Sequence, residues 1–339
     1  MEYVPPARSV GHGRLYLKEL VVISGKGGTG KTSLLASFAA LAGRAVTADC
    51  DVDAADLHLV LTPVVERTTK FSGGKQARID PERCTGCGLC EEHCRYGAIH
   101  RHEAERIPDD GPRSDGMQRN GSAQPGRYVY AVDGFACEGC GVCTYICPAG
   151  AVIFAEEVSG EWFVSRTRFG PMVHAKLRPG AENSGKLVTA VRNEARRIAG
   201  EQDHDLVLVD GSPGIGCPVI ASIAGADTVL VVTEPTKSGI HDLERVIELA
   251  RHFDIPAVIA VNKADINEDM TEAISAYAGN EGITMAGRIR YDTDVTRAQM
   301  EGRSVVEISD GPAATDIRAI WGRIHGAIRE SNEREQEEA

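Results

Sequence analysis

The sequence has no long apolar run and few aromatic residues. Of its 339 residues, 5 % are aromatic, and only two are tryptophan. No stretch approaches the roughly 20 apolar residues that a membrane-spanning helix needs, so we expect no integral membrane segment. The opening residues also lack the apolar core and small-residue cleavage site of a signal peptide, which predicts a cytoplasmic protein.

The sequence has fewer basic residues than acidic ones. The chain has 37 Lys and Arg residues against 49 Asp and Glu residues, which gives a formal net charge of −12. This balance argues against non-specific binding to nucleic acid or to an anionic membrane surface, and we expect no nucleic-acid partner. The length suffices for two or three domains, each with its own core.

The ten cysteines are unevenly distributed. In a large chain without a secretion signal they indicate metal binding rather than a disulfide framework. Eight of them form two runs with the spacing C-x₂-C-x₂-C-x₃-C: Cys84, Cys87, Cys90, Cys94 and Cys137, Cys140, Cys143, Cys147. The runs are an internal repeat with an offset of 53 residues. We expect Cys50 and Cys217, which lie outside the repeat, to be packed thiols.

The double run is the pattern of a bacterial two-cluster ferredoxin, in which the fourth cysteine of each run ligates the other cluster. It predicts one [4Fe–4S] cluster on Cys84, Cys87, Cys90 and Cys147, and a second on Cys137, Cys140, Cys143 and Cys94. Zinc also accepts sulfur-rich sites, but zinc sites usually use paired C-x₂-C units rather than triple runs.

Short apolar strands alternate with helical patterns elsewhere in the chain, which predicts a parallel α/β sheet. The predicted strands are Leu20–Ser24, Ala45–Asp51, Leu206–Asp210, Thr228–Thr233 and Ala257–Asn262. An apolar face on Ile317, Ile320 and Trp321 predicts that a final helix packs on this sheet rather than on a membrane.

The cysteine repeat interrupts this alternation. We predict that 1–61 and 161–330 form one α/β domain, and that 62–160 is a small inserted α+β domain of the bacterial ferredoxin type. Within the insertion, 103–127 is rich in Gly, Pro and charge and is predicted to be a mobile loop. The acidic tail 331–339 is predicted to be disordered.

A phosphate-binding loop follows the first predicted strand. The sequence GKGGTGKT fits G-x-x-x-x-G-K-[ST] between a strand and a helix. Lys31 is predicted to reach the β- and γ-phosphates of ATP, and the Thr32 hydroxyl to bind Mg²⁺. The predicted ATP-binding residues of this loop are Gly25, Lys26, Gly27, Gly28, Thr29, Gly30, Lys31, Thr32 and Ser33.

The form K-G-G-x-G-K-T resembles the deviant Walker A loop of the MinD/ParA superfamily, which includes the nitrogenase iron protein and Mrp-type iron–sulfur carriers. The resemblance implies a homodimer on ATP binding, in which Lys26 reaches the partner's phosphates. DCDVDAADLHL resembles switch I, where Asp51 would orient the attacking water. For Asp49, Asp53 and Asp56, capping of the next segment and a place near the metal both remain open.

Two further segments fit the superfamily. VLVDGSPGIG resembles Walker B and switch II, which implies that Asp210 holds Mg²⁺ through water and that the Gly214 N–H faces the γ-phosphate. AVNKAD resembles the base-recognition strand end, where Asn262 would bind adenine or, alternatively, act as a plain helix cap. Nearly the whole chain is similar to MinD-superfamily ATPases that carry an inserted two-cluster ferredoxin domain.

This resemblance implies an ATPase with slow, partner-stimulated hydrolysis, whose nucleotide-driven dimer closure gates electron transfer to a redox partner. The alternative is an Mrp-type iron–sulfur carrier that delivers a cluster to a client protein. Such carriers use a C-x₂-C pair, and no pair lies outside the repeat, which favours electron transfer. A partitioning ATPase would leave eight cysteine ligands without a role.

Overall fold

The computed structural model describes residues 17–103, 128–178 and 184–337. They form two compact units. The larger unit contains the described residues of Met1–Phe71, Gly160–Leu177 and Asn183–Ala339, and the smaller unit contains those of Ser72–Ser159 and Arg178–Glu182. Apart from its first residue, the predicted loop 103–127 lies outside the described residues.

Strands and helices alternate along most of the chain. The strands are β1 (Lys18–Ile23), β2 (Ala45–Asp49), β3 (Val64–Ile79), β4 (Ile99–Glu103), β5 (Tyr128–Val132), β6 (Val152–Thr167), β7 (Gly170–Leu177), β8 (Leu206–Asp210), β9 (Thr228–Thr233), β10 (Ala257–Asn262) and β11 (Thr284–Ile289). The helices are α1 (Lys31–Ala42), α2 (Leu57–Leu61), α3 (Leu89–Glu92), α4 (Val142–Ile146), α5 (Ser184–Glu201), α6 (Cys217–Ile223), α7 (Lys237–His252), α8 (Glu268–Asn280), α9 (Thr293–Met300), α10 (Val305–Ile308) and α11 (Pro312–Glu337).

The larger unit is built on a nine-stranded sheet with the order β11-β10-β9-β1-β8-β2-β7-β6-β3. The seven strands from β11 to β7 are parallel, and β6 runs antiparallel to β7. The central strands β1, β2 and β8 are completely buried, which explains why they appear in the sequence as continuous apolar runs rather than alternating ones. The predicted mostly parallel α/β sheet is confirmed.

Helices cover both faces of this sheet. Leu20 and Val22 of β1 point into a core formed with α1 and α11, whereas Val21 and Ile23 point into a core formed with α5 to α8. This arrangement brings the carboxyl ends of the central parallel strands to one edge of the sheet. In open α/β sheets, ligands bind at that edge.

The final helix packs on the sheet, as predicted. Ile317, Ile320 and Trp321 are buried in the core with α1, and the rings of Phe38 and Trp321 lie 5.1 Å apart between centroids. The helix continues to residue 337, through most of the segment predicted to be a disordered tail, because Glu, Arg and Gln are good helix formers. Within the described ranges, no helix is long and apolar enough to cross a membrane.

The smaller unit contains β4 and β5, which pair antiparallel with Ile99 opposite Val132, and the short helices α3 and α4. It begins at Ser72, ten residues after the predicted boundary at 62. The difference arises because Phe71, at the end of the preceding segment, packs against the core of the larger unit.

We expect Trp321→Ala to lower the free energy of unfolding by about 3–5 kcal/mol, because it leaves a cavity beside Phe38. Urea denaturation followed by circular dichroism measures the effect. Met300, which is 84 % exposed, provides the control: Met300→Ala should change the free energy of unfolding by less than about 0.5 kcal/mol. Equal losses in the free energy of unfolding for the two variants would contradict the packing described for α11.

Candidate functional site

The loop between β1 and α1 is shaped by its glycines. Gly28 and Gly30 have φ angles of 77° and 90°, in the left-handed region that other residues disfavour. A Cβ atom on Gly30 would lie 2.5 Å from Nδ2 of Asn262, and one on Gly25 would clash with the side chain of Asp242 in α7. The loop leads directly into α1, whose N-terminus favours phosphate groups.

Asn262, at the end of β10, braces this loop. Its Nδ2 atom donates to the carbonyl of Thr29 at 2.8 Å, and its Oδ1 atom accepts from the N–H of Lys263 at 3.0 Å. The side chain therefore links the sheet edge to the phosphate-binding loop. Its adenine contact remains a prediction, and the bracing role was not foreseen.

Carboxylates gather at the carboxyl ends of β2 and β8, close to the loop lysine. Asp49 and Asp210 are register partners on these strands, and both are fully buried. Oδ2 of Asp51 lies 3.6 Å from Nζ of Lys31, which is only 5 % exposed. Asp49 accepts from the N–H groups of Asp51 and Leu57, both at 3.2 Å, so it fixes the switch I segment and caps α2.

The environment of Asp210 suits a cation. Within the described part of the chain, neither of its buried carboxylate oxygens has a hydrogen bond of standard geometry, although the Thr32 hydroxyl is near enough to act on its pKa. Burial raises the pKa of Asp210 to about 6, although the charge of Lys31 and the hydroxyl of Thr32 oppose the rise. Burial also raises the pKa of Asp51 and, together with the charge of Asp210, that of Asp49. Carboxylate and hydroxyl oxygens are the donors that Mg²⁺ prefers, so Asp210 and Thr32 fit the predicted magnesium site.

The predicted switch II segment is held by hydrogen bonds to its neighbours. The N–H of Gly214, predicted to face the γ-phosphate, donates to the carbonyl of Ser24 at 2.8 Å. The hydroxyl of Ser212 donates to the carbonyl of Cys50, also at 2.8 Å. Switch I and switch II are thus joined, and the Gly214 N–H must leave Ser24 before it can contact a phosphate.

Lys26, the predicted trans-acting lysine, contacts the segment that follows β9. Its Nζ atom lies 3.4 Å from Oε2 of Glu234 and 3.5 Å from the hydroxyl of Ser238. Nζ of Lys263 lies 2.7 Å from the other oxygen of Glu234. Burial alone would raise the pKa of Glu234, but Lys263 and Lys26 lower it. Sequence reasoning missed Glu234, although its position directly after a buried strand was a signal.

The smaller unit gathers the eight repeat cysteines around two cavities. Cavity one is lined by Cys84, Cys87, Cys90 and Cys147. Cavity two is lined by Cys137, Cys140, Cys143 and Cys94. Each set combines three cysteines of one run with the fourth of the other, which is the predicted grouping. Within the described ranges, no three His, Cys, Asp or Glu side chains are arranged to hold a metal ion.

The fourth cysteines receive equivalent hydrogen bonds. The N–H of Ala98 donates to Sγ of Cys94, and the N–H of Ala151 donates to Sγ of Cys147, both at 3.3 Å. Burial raises the pKa of Cys90 to about 11, so without a metal its thiol stays protonated at neutral pH. Metal binding at such sites is coupled to the loss of these protons.

The two remaining cysteines differ. Cys50 is fully buried, as expected for a packed thiol, and burial strongly raises its pKa. Cys217 is exposed at the first residue of α6. The expectation that it is a packed thiol is therefore wrong, because the helix start turns its side chain toward solvent.

The strand, the loop and the edge carboxylates together define a P-loop nucleotide-binding protein. A family model described as the CobQ/CobB/MinD/ParA nucleotide binding domain matches residues 20–305. The chain belongs to this family.

Comparisons with individual proteins agree with this assignment. The chain is 29 % identical over 254 residues to an uncharacterised protein of Methanocaldococcus jannaschii, covering 74 % of this chain and 80 % of the relative. It is 26 % identical over 171 residues to the septum site-determining protein MinD of Bacillus subtilis, covering 48 % and 62 %. The fold is similar to Pyrococcus horikoshii MinD complexed with Mg-ADP, with a TM-score of 0.53, 14 % identity, and coverage of 91 % and 96 %.

We expect Asp210→Asn to stabilise the magnesium-free protein above pH 6. Because its folded pKa is raised, Asp210 lowers stability as the pH rises from about 4, where the unfolded group ionises, to about 6. The gain should be about 3 kcal/mol and should vanish below about pH 4. Urea denaturation at several pH values measures it.

Magnesium and ATP supply the second readout. They should stabilise the wild type but not Asp210→Asn, because the variant loses a magnesium ligand. Asp269→Asn, at an exposed position in α8, is the control and should show neither effect. An unchanged pH profile in Asp210→Asn would contradict the raised pKa.

Proposed function

We propose that this chain is an ATPase in which ATP-driven closure of a homodimer controls electron transfer through two [4Fe–4S] clusters to a redox partner protein. The observation that carries the proposal is that one chain contains both a P-loop nucleotide site and two cavities lined by four cysteines each. The membership in the MinD/ParA family supports the nucleotide part, and the cysteine geometry supports the cluster part.

The donor set favours clusters over single ions. Zinc sites usually use paired C-x₂-C units. Each cavity here is instead lined by three cysteines of one triple run and the fourth cysteine of the other run. Four thiolates are also the usual donor set of a [4Fe–4S] cluster, which supplies one-electron chemistry when bound.

The protein's own contribution is to hold and tune the sulfurs. Cys94 and Cys147 each tie one run to the other, because each lines the cavity of the opposite run. The N–H groups of Ala98 and Ala151 point to these two sulfurs. Such hydrogen bonds stabilise negative charge on sulfur and are among the factors that set a cluster's potential.

At the nucleotide site, ATP has to compete with partners inside the chain. Nζ of Lys31 lies 3.6 Å from Asp51, so the phosphates must draw the lysine from this carboxylate. Asp51 is then free to accept a proton from an attacking water and to orient it. Lys26 must likewise leave Glu234 before it can reach a second subunit. Nucleotide binding thereby exposes both groups that hydrolysis needs.

The protein purified without oxygen should contain about eight irons per chain, as two [4Fe–4S] clusters require. Metal analysis and electron paramagnetic resonance of the reduced protein measure this. Cys147→Ala should remove the cluster of cavity one and leave about four irons. Stoichiometric zinc with little iron would overturn the cluster part of the proposal.

Cys217→Ala is the matched control for iron content. Because Cys217 lines neither cysteine cavity, its loss should leave the iron content unchanged. A loss of about four irons per dimer would instead favour the Mrp-type carrier, with a cluster held between two copies of this exposed residue.

ATP should shift the chain from monomer to dimer, as light scattering or sedimentation can measure. Lys26→Ala should weaken this dimer about tenfold, which corresponds to roughly 1.4 kcal/mol. Lys31→Ala should abolish nucleotide binding because the phosphates lose their main cation. Asp51→Ala should bind ATP and form a dimer that does not hydrolyse it.

Lys237 provides the control, since it is an exposed lysine at the start of α7, outside the phosphate-binding loop. Lys237→Ala should dimerise like the wild type. Normal dimerisation and turnover in Lys26→Ala would refute the trans role.

A further inference from the structure

The walls of the two cavities correspond residue by residue across the repeat. Adding the 53-residue offset to the cavity-one residues Cys84, Cys87 and Cys90 gives cysteines that line cavity two, and Ile79 corresponds in the same way to Val132. Among the equivalent positions that line both cavities, the largest difference in size is between Tyr130 of cavity one and Ala77 of cavity two. Tyr96 lines cavity two only, and its equivalent in the repeat is Ala149.

Tyr130 covers part of cavity one. Its side chain is buried, and its hydroxyl lies 3.0 Å from the position that a Cβ atom on Gly88 would occupy. The ring therefore lies against the loop that carries the first three cysteines of this cavity. Cys84 and Cys90 are only 6 % and 8 % exposed, whereas Cys87 is exposed.

The cysteines of cavity two are less buried. The methyl group of Ala77 fills less space than a tyrosine ring. Each cavity has one exposed cysteine, Cys87 or Cys140, but none of the cavity-two cysteines is buried. Tyr96 and Val142, which line only this cavity, are 51 % and 43 % exposed.

We infer that the two cysteine sites are functionally different: cavity two is the side at which external electron donors or acceptors reach the module, and Tyr130 shields cavity one. The inference rests on the proposed function, because it assumes that both cavities hold clusters. Solvent access is one of the factors that set the reduction potential and the reactivity of a cluster. Because Tyr130 and Ala77 give the two cavities different access, we expect their clusters to differ in both properties.

The test measures the access to each site separately in the full-length, iron-loaded protein under anaerobic conditions. Bathophenanthroline disulfonate, an iron(II) chelator, removes the iron, and iodoacetamide caps each thiolate that becomes free. The sulfur forms an S–C bond and iodide leaves. Peptide mass spectrometry over time then gives the alkylation rate of every cysteine.

Two cysteines outside the cavities calibrate the experiment. Cys217 is exposed and should react at once, while Cys50 is fully buried and should stay unmodified unless the chain unfolds. We expect the cavity-two cysteines to react at least roughly threefold faster than those of cavity one, because thiol reactivity follows access. Equal rates, or faster reaction in cavity one, would overturn the inference.

Variants at the equivalent wall positions test the cause. Tyr130→Ala should bring the cavity-one rate to within about twofold of the cavity-two rate, whereas Tyr130→Phe, which keeps the ring, should not. Ala77→Tyr should slow the reaction of cavity two. Reaction of Cys50 would reveal unfolding of the larger unit only. Iron content like that of the wild type shows that the smaller unit of each variant is folded, and the comparison of Tyr130→Phe with Tyr130→Ala then tests the shielding. Unchanged rates in a folded Tyr130→Ala protein would overturn the shielding role.

The outcomes also separate this inference from the proposed function. A chain that binds no iron overturns the cluster proposal, while the order of alkylation of its thiols still tests the access difference. A chain that holds iron but releases it from both cavities at one rate overturns only the inference.

Discussion

The nucleotide site depends on an imbalance of buried charge. Lys31 faces Asp51 directly and acts on Asp210, while Asp49 lies behind both carboxylates, fully buried. Burial raises the pKa values of all three carboxylates, and one lysine cannot neutralise them where little water reaches them. The site is therefore incomplete without a further cation. In the proposed function, a magnesium ion bound together with the phosphates that attract the lysine would supply that charge.

From this imbalance follows the arrangement of the surrounding groups. Lys31 is paired with Asp51, Lys26 with Glu234, and the Gly214 N–H with the carbonyl of Ser24. These three groups, all predicted to contact nucleotide, already have partners inside the chain. Binding must exchange these partners, so the free energy gained from the nucleotide also moves the switch segments. An ATP site whose groups had no partners in the free protein would bind nucleotide more tightly. Binding would then break no internal contacts, so it would move the switch segments less.

Local features of this protein could be predicted from sequence, and long-range ones could not. The phosphate-binding loop and the central strands follow from glycine spacing and apolar runs, because both are set by neighbouring residues. The bracing of Thr29 by Asn262 joins residues 233 positions apart, and no spacing rule reports such a contact. The boundary at Ser72 rather than 62 likewise depends on where Phe71 packs. The helix through residue 337 was missed because a charged composition favours both solvated tails and exposed helices.

The two halves of the cysteine repeat are equivalent in their ligands but differ in how accessible their sites are. The two runs have the same spacing, so each cavity receives an equivalent set of four cysteines. If all the wall residues were also equivalent, the two sites would be interchangeable. Tyr130 and Ala77 break this equivalence without touching a ligand position, since both are wall residues. If both cavities hold clusters, the shielded site can exchange electrons with the open site more readily than with solvent. A single substitution in the wall then separates an inner site from an outer one, and electrons can enter or leave the module on one side.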